Sequence, residues 1–131
     1  MNFLQERSEK MSKEMYDDWT KEFMESWKQL DWERTLETLD KNVKYYENPI
    51  DKPCKNFDEV INLWNVVADN QKDIDYKYEI VVYNEETCII NWQMTRTMTS
   101  DDSRQEIDGI FQISLNEEGL CTFFKQWRFT R

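Results

Sequence analysis

The sequence predicts an α+β domain in which helices pack on one face of a curved, mainly antiparallel sheet. In the first half, large apolar residues recur every three or four positions, whereas apolar and polar residues alternate from residue 74 onward. The first pattern is typical of amphipathic helices and the second of strands with one buried face. Because the helical segments precede most of the strands, we expect the two kinds of element to be segregated.

Three helices are predicted in the first half. Asp31 is a suitable N-cap for a short second helix, and Asn56 followed by Glu59 resembles a capping box that begins a third. The first helix has an apolar face made of Tyr16, Trp19, Phe23, Trp27 and Leu30. The second has a buried stripe of Trp32, Leu36 and Leu39. A short strand-like run over 43–46 and a loop with two prolines lie between the second and third helices.

Four strands are predicted in the second half, over residues 74–82, 87–98, 104–115 and 120–129. The turns between them are short, so consecutive strands should pair in an antiparallel arrangement. Gly109 lies inside the third of these strands, and we expect it to mark a bulge where the sheet bends.

The composition limits the possible partners. With 17 Lys and Arg against 27 Asp and Glu, the 131 residues carry a formal net charge of −10. That charge disfavours nucleic acids and anionic membranes as partners. Aromatic residues make up 15% of the chain, enough to build a core, so the charge does not indicate disorder.

The missing residue types exclude several kinds of chemistry. There is no histidine, which excludes Ser-His-Asp catalysis and histidine-ligated metals. The two glycines cannot form a glycine-rich phosphate loop. We therefore expect no metal and no cofactor. Cys54, Cys88 and Cys121 lie far apart and are interpreted as reduced thiols of a cytoplasmic protein. The charged first residues do not resemble a signal peptide, and no apolar run is long enough to span a membrane.

Several short motifs together resemble a known family. They are Tyr46-Glu47-Asn48-Pro49, Trp64 in the third helix, the run Ile89-Ile90-Asn91-Trp92, and DGIFQISLNEEG followed by Lys125-Gln126-Trp127. In this order and spacing the chain resembles the nuclear transport factor 2-like superfamily, in particular its SnoaL-like branch. The resemblance implies one cone-shaped domain over residues 13–131, with a pocket at its wide end and a homodimer formed through the back of the sheet. Residues 1–12 would be an extension that is helical, forms a dimer arm or is disordered.

The same resemblance allows two enzymatic branches to be compared by position. The catalytic base, the oxyanion tyrosine and the protonated aspartate of ketosteroid isomerases align with Asn48, Phe23 and Phe111. None of these side chains carries the required group, so the usual isomerase mechanism is not expected. The acid/base aspartate of the SnoaL cyclases aligns with Gln112. Asp108, four residues earlier on the same side of the strand, is the nearest carboxylate.

Asp108 is thus the candidate catalytic residue. Pointing into an aromatic cavity, it would have a raised pKa and could exchange protons near neutral pH. The alternative is a structural role, with Asp108 hydrogen-bonded to a neighbour or paired with Arg96 or Arg128. The candidate ligand-binding residues are Phe23, Trp27, Tyr45, Asn48, Trp64, Trp92, Gln112 and Trp127.

We expect this pocket to bind a small apolar or aromatic molecule, because convergent tryptophans suit a flat ligand with few polar atoms. One hypothesis adds cofactor-independent isomerisation, cyclisation or dehydration through Asp108. The other is a non-catalytic ligand-binding or protein-interaction module of the same fold.

Overall fold

A computed structural model describes the backbone of residues 3–67 and 70–131 and the side chains of residues 13–65 and 70–131. Helices and strands within these ranges confirm the predicted α+β class. In chain order they are α1 (Phe3–Lys28), α2 (Trp32–Leu36), β1 (Leu39–Tyr46), α3 (Phe57–Val67), β2 (Gln71–Tyr83), β3 (Cys88–Met98), β4 (Arg104–Leu115) and β5 (Cys121–Thr130).

The strands form one sheet with the order β1-β5-β4-β3-β2. Strands β2 to β5 are an antiparallel meander, as predicted. Strand β1 pairs with β5 in a parallel arrangement, in which Tyr46 lies opposite Lys125. No local turn joins these two strands, so the sequence held no nearby signal for this pairing.

Helix α1 packs along the inner face of the sheet with its predicted apolar stripe. Tyr16, Trp19, Phe23 and Trp27 are buried in the core, while Leu30, predicted on the same helix face, lies beyond the end of the helix and is partly buried beside the core. Two tyrosines of β2 attach the sheet to the helix: the hydroxyl of Tyr76 donates to Glu25 at 2.7 Å and that of Tyr78 to Asp17 at 2.9 Å. The core therefore lies between α1 and the sheet.

The shorter helices begin at the predicted caps. The side chain of Asp31 accepts from the Arg34 N–H at 3.2 Å. Asn56 accepts from the Glu59 N–H at 3.0 Å, and the Glu59 carboxylate accepts from the N–H of Lys55 at 2.8 Å. The predicted stripe of α2 is wrong at one position, because Leu39 lies after the helix and begins β1.

The predicted N-terminal extension falls largely on α1. The helix begins at Phe3, so the backbone of residues 3–12 is helical and continuous with the rest of α1. Residues 1–2 and the side chains of residues 1–12 lie outside the described residues, and a domain boundary at residue 12 stays a prediction. In the described part of the chain, no helix combines the length and apolar character needed to cross a membrane.

The expected bulge at Gly109 is wrong. The register between β3 and β4 continues without interruption past the Trp92–Gly109 pair. The glycine is instead covered by the indole of Trp92, and a Cβ at this position would lie 2.4 Å from two ring atoms. The missing side chain of Gly109 thus leaves the space that the Trp92 indole fills. Trp92 in turn lies against Trp27 and Phe111.

We predict that Gly109→Ala lowers the free energy of unfolding by about 1–3 kcal/mol, because Trp92 must move within a filled core. Urea denaturation followed by circular dichroism measures this difference. Ser114→Ala, in the same strand, is the control and should change the stability by less than about 0.5 kcal/mol. Equal stabilities of Gly109→Ala and the parent chain would contradict this account of the glycine.

Candidate functional site: an aromatic pocket with a charged end

Polar side chains from several strands meet at one end of the inner face. Alternate residues of a strand face the same side, and the buried residues of β1, β3 and β5 before this end are apolar. The series then continue into Glu47 after β1, Arg96 in β3, and Gln126 and Arg128 in β5. The parallel pairing of β1 with β5 brings Glu47, one residue past Tyr46, alongside the inward residues of β5.

These side chains enclose one end of a cavity of about 110 Å³. We call Glu47, Gln71, Arg96, Gln126 and Arg128 the polar end of this pocket. The aromatic residues that line the cavity, which we call the aromatic wall, are Phe23, Trp27, Trp32, Tyr45 and Trp64. Helices α1, α2 and α3 each contribute at least one ring to this wall.

Hydrogen bonds fix the orientation of the aromatic wall. The indole N–H of Trp64 donates to the hydroxyl of Tyr45 at 3.3 Å, and that of Trp27 donates to Oε1 of Gln71 at 3.2 Å. The ring of Trp64 also lies 5.6 Å from Trp32 between centroids. Both indole N–H groups are therefore satisfied within the protein.

Glu47 is the carboxylate of this pocket. Its Oε1 lies 3.8 Å from Nη2 of Arg128, which is an ion pair without a close hydrogen bond. Its Oε2 is buried and has no hydrogen-bond partner of ordinary geometry among the described residues. Burial raises the pKa of Glu47, and the positive charge of Arg128 is the largest of the effects that oppose this shift. Glu47 can therefore exchange a proton at a higher pH than an exposed glutamate.

Arg96 is held by two glutamines. Its Nη1 donates to Gln71 and its Nε to Gln105, both at 3.0 Å. None of the described carboxylates lies within ion-pair distance of Arg96. Burial lowers the pKa of Arg96, and the charge of Arg128 lowers it further. Two guanidinium groups thus share this pocket with Glu47. In the described part of the chain, no three Cys, Asp or Glu side chains are grouped so as to hold a metal ion.

Half of the predicted ligand-binding residues line this pocket: Phe23, Trp27, Tyr45 and Trp64. Trp92 lies behind the aromatic wall, fully buried, with its ring 5.5 Å from Trp27 and 5.0 Å from Phe111. It supports the wall without lining the cavity. The binding of a ligand by any of these residues stays a prediction.

Asp108 does not point into the aromatic cavity. In β4 the residues that face the core are Ile107, Gly109, Phe111 and Ile113, so both Asp108 and Gln112 face the outer side of the sheet. The Asp108 carboxylate is exposed and accepts from the side-chain amide of Asn91 at 2.8 Å and from that of Gln93 at 3.3 Å. It therefore pairs with neither Arg96 nor Arg128, which lie on the inner side.

Two other predicted ligand-binding residues also lie outside the pocket. Trp127 is on the outer face of β5, where the ammonium of Lys125 lies 5.2 Å from its ring centroid. Asn48 stabilises the loop after β1, because its Oδ1 accepts from the N–H groups of Ile50 and Asp51 at 3.0 and 2.9 Å.

Sequence reasoning missed the polar end as a site. Glu47 entered only as part of a family motif, and Arg96 and Arg128 only as possible partners of Asp108. A signal was present, since Glu47 continues the alternate series of Val43 and Tyr45, and Arg96 continues that of Trp92 and Met94. A charged residue at the end of an otherwise buried series indicates a pocket when several strands end in the same region.

The comparisons with known proteins agree with this fold. The model of the SnoaL-like domain family matches residues 20–124, and the chain belongs to this family. No curated protein sequence matches the chain.

Solved structures with the nuclear transport factor 2-like fold are similar over most of the chain. One is SalBIII, an epoxide hydrolase/cyclase-like enzyme in pyran ring formation in the polyether salinomycin, with a TM-score of 0.73, 10% identity, and coverage of 86% of this chain and 89% of that one. The Δ5-3-ketosteroid isomerase of a Mycobacterium species has a TM-score of 0.70, 9% identity, and coverage of 87% and 96%. Rv0760c of Mycobacterium tuberculosis, in complex with estradiol-17β-hemisuccinate, has a TM-score of 0.68, 14% identity, and coverage of 83% and 89%. At these identities the similarity shows the fold alone.

The raised pKa of Glu47 predicts how stability depends on pH. In the unfolded chain Glu47 releases its proton near the ordinary pKa of 4.5, whereas in the folded chain it releases it only at a higher pH. The folded state therefore loses stability as the pH rises from about 4.5 to the raised pKa of Glu47. Glu47→Gln removes that loss. We expect the melting temperature of the variant minus that of the parent to be larger at pH 7 than at pH 4. The increase should be roughly 3–6 °C for each 1 kcal/mol by which ionisation of Glu47 destabilises the parent.

Thermal unfolding followed by circular dichroism at both pH values measures the effect. Glu79→Gln, at an exposed position of β2, is the control, and its difference from the parent should be the same at both pH values. If the difference in melting temperature between Glu47→Gln and the parent is also the same at both pH values, the pKa of Glu47 is not raised.

Proposed function

We propose that the pocket binds a small, mainly apolar ring compound and that Glu47 transfers protons to and from it. The observation that carries this proposal is the carboxyl of Glu47 beside the aromatic wall, whose buried Oε2 has no hydrogen-bond partner of ordinary geometry among the described residues. A carboxyl group in such surroundings is suited to cofactor-independent isomerisation, cyclisation or dehydration, since these reactions need only proton transfers and hydrogen-bond donors. In this proposal Glu47 takes the role that the sequence assigned to Asp108.

The size of the cavity limits the ligand. At about 110 Å³ it is well below the roughly 300–1,000 Å³ of pockets for drug-sized molecules. A single ring or a short branched chain suits this space, whereas a steroid such as the one bound by Rv0760c requires the pocket to widen. The flat faces of Trp27 and Trp64 favour an aromatic or planar ring over a bulky one.

The neighbouring groups support proton transfer by Glu47. As a carboxylate it accepts a proton from a carbon or hydroxyl of the ligand, and as a carboxylic acid it returns that proton to a different atom. Burial and the nearby charge of Glu47 raise the pKa of Tyr45 well above its ordinary value, so its hydroxyl stays protonated. Tyr45 can therefore donate a hydrogen bond to an oxygen that becomes negative during the reaction. Tyr45 is buried, and three quarters of the Glu47 side-chain surface is covered.

A generic proton-abstraction probe tests this role of Glu47. We expect the protein to accelerate the ring opening of 5-nitrobenzisoxazole, in which a base removes the C3 proton and the N–O bond breaks to give a coloured cyanophenolate. Glu47→Gln should lose about 100-fold or more of the rate above buffer, because the amide cannot accept the proton. The parent rate should rise with pH through the raised pKa of Glu47, as measured by absorbance.

Asp108→Asn is the matched control, since it removes the same charge from the exposed outer face and should keep the parent rate. Loss of the rate in Asp108→Asn and not in Glu47→Gln would assign the base to Asp108. A parent rate equal to that of buffer would remove the enzymatic proposal and favour the non-catalytic module.

We further infer a cytoplasmic homodimer that associates through the outer face of the sheet. Cys54, Cys88 and Cys121 are unpaired, which suits a reducing compartment. The outer face of β5 presents Trp127 and Phe129, with 37% and 75% of their surface exposed. Exposed aromatic side chains of this kind are enriched at protein interfaces.

Native mass spectrometry at micromolar concentration tests the dimer. We expect the parent to have twice the mass of one chain and Phe129→Lys to shift toward the monomer, because a buried lysine would lose its hydration. Ile50→Lys, in the exposed loop after β1, is the control and should remain dimeric. A monomeric parent would contradict the inference.

A further inference from the structure

We propose that the ligand carries a carboxylate or a similar anionic group, which Arg96 and Arg128 bind at the polar end. The inference rests on the proposed function, because it names the class of substrate for the same pocket. It makes these two arginines specificity-determining residues, separate from the proton-transfer role of Glu47.

The charge balance of the pocket is the first argument. Among the described residues that line the cavity, the charged ones are Glu47, Arg96 and Arg128. With Glu47 ionised, the pocket charge is 2 − 1 = +1, and with Glu47 protonated it is +2. The whole chain has a net charge of −10, so the pocket is a positive site within a strongly acidic protein. Because a half-buried guanidinium is costly without a counter-charge, an anionic ligand stabilises this arrangement.

The positions of the two arginines are the second argument. Gln71 and Gln105 orient the guanidinium of Arg96, and Gln71 is itself buried and bound by the Trp27 indole. Arg96 is therefore held in place before a ligand arrives, which lowers the entropic cost of binding. The 3.8 Å separation between Arg128 and Glu47 is too long for a hydrogen bond, so Arg128 keeps donors for a ligand oxygen.

Gln126 provides an independent sign of a missing polar partner. Only 3% of its surface is exposed, it lines the cavity, and its buried Oε1 has no hydrogen-bond partner in the described part of the chain. Such groups are rare in native proteins unless a ligand or water satisfies them. A hydroxyl or amine on the ligand, near its anionic group, would donate to this oxygen.

This arrangement also indicates which atoms of the ligand react. Glu47 lies beside Arg128, so a carboxylate bound by the arginines has its adjacent carbon atoms close to Glu47. The proton is then expected to move at a carbon one or two bonds from the anionic group. The ring of the ligand lies against the aromatic wall, in contact with Trp27 and Trp64.

Matched pairs of probes test the inference with the full chain at pH 7. Each pair has one ring and differs only in a carboxylate or its neutral amide: benzoate and benzamide, phenylacetate and phenylacetamide, cinnamate and cinnamamide. In isothermal titration calorimetry we expect the carboxylate of at least one pair to bind about tenfold or more tightly than its amide. Arg96→Gln and Arg128→Gln should each reduce this ratio several-fold, because loss of the positive charge weakens carboxylate binding more than amide binding.

Three further variants separate the effect of charge from that of folding. Arg96→Lys keeps the charge and should retain part of the preference, and Arg104→Gln, an exposed arginine at the start of β4, should retain all of it. Glu47→Gln should bind carboxylates more tightly than the parent does, because a like charge is removed. Thermal unfolding of each variant checks that the pocket is intact.

The outcomes of the two proposals are distinguishable. If amides bind as tightly as carboxylates, or if the ratio is unchanged in both arginine variants, the anionic ligand is excluded while small-molecule binding stands. If no member of any pair binds, the pocket proposal fails together with this one. The 5-nitrobenzisoxazole assay reports on Glu47 independently of both results.

Discussion

The fold depends on a continuous series of aromatic contacts along the inner face of the sheet. Phe124 lies at its centre, with ring centroids 4.4 Å from Tyr45, 4.9 Å from Phe111 and 5.3 Å from Phe23. From α1 to α2, the series runs through Trp27, Trp92, Phe111, Phe124, Tyr45, Trp64 and Trp32. Each ring buries a large apolar area and restricts the orientation of the next. Helices α1, α2 and α3 are therefore attached to the sheet through one connected core.

The pocket forms where this series reaches the polar end of the inner face. Tyr45, Trp64, Trp27 and Trp32 serve the core with one side of their rings and line the cavity with the other. Gly109 contributes from behind, since its missing side chain leaves room for the indole of Trp92, whose ring centroid lies 5.5 Å from that of Trp27 with the two rings tilted by 56°. Packing and cavity are thus parts of the same arrangement, since the rings that line the cavity also contact the core behind them.

The same burial sets the electrostatics of the polar end. It disfavours charge on both Glu47 and Arg96, raising the pKa of the first and lowering that of the second. In surroundings of low polarity the attraction between opposite charges is stronger than in water, so a ligand anion and the two arginines would stabilise each other. A carboxyl group with a raised pKa beside two guanidinium groups can serve proton transfer and ligand recognition at once.

The local sequence was sufficient for the elements and for part of the aromatic wall. Helical spacing placed Phe23 and Trp27 on the buried face of α1, and Asp31 and Asn56 identified the caps of the short helices, because these signals lie within a few residues of each other. The resemblance to the family led to Trp64, which is one of its motif residues, and to Tyr45, which directly precedes another motif. The polar end was not found, although Glu47 and Arg96 each continue an inward series of their own strand.

Two features of the protein are determined only by its tertiary structure. The first is which face of β4 and β5 is buried. The runs around Gly109 and at Phe123-Phe124 have apolar residues on both faces, so Asp108, Gln112 and Trp127 could be placed only after α1 had packed on one side. The second is the parallel pairing of β1 with β5, which joins residues distant in sequence and brings Glu47 to Arg128. Periodicity within a segment determines the helices and strands, but a pocket assembled from the ends of several strands depends on which strands become neighbours.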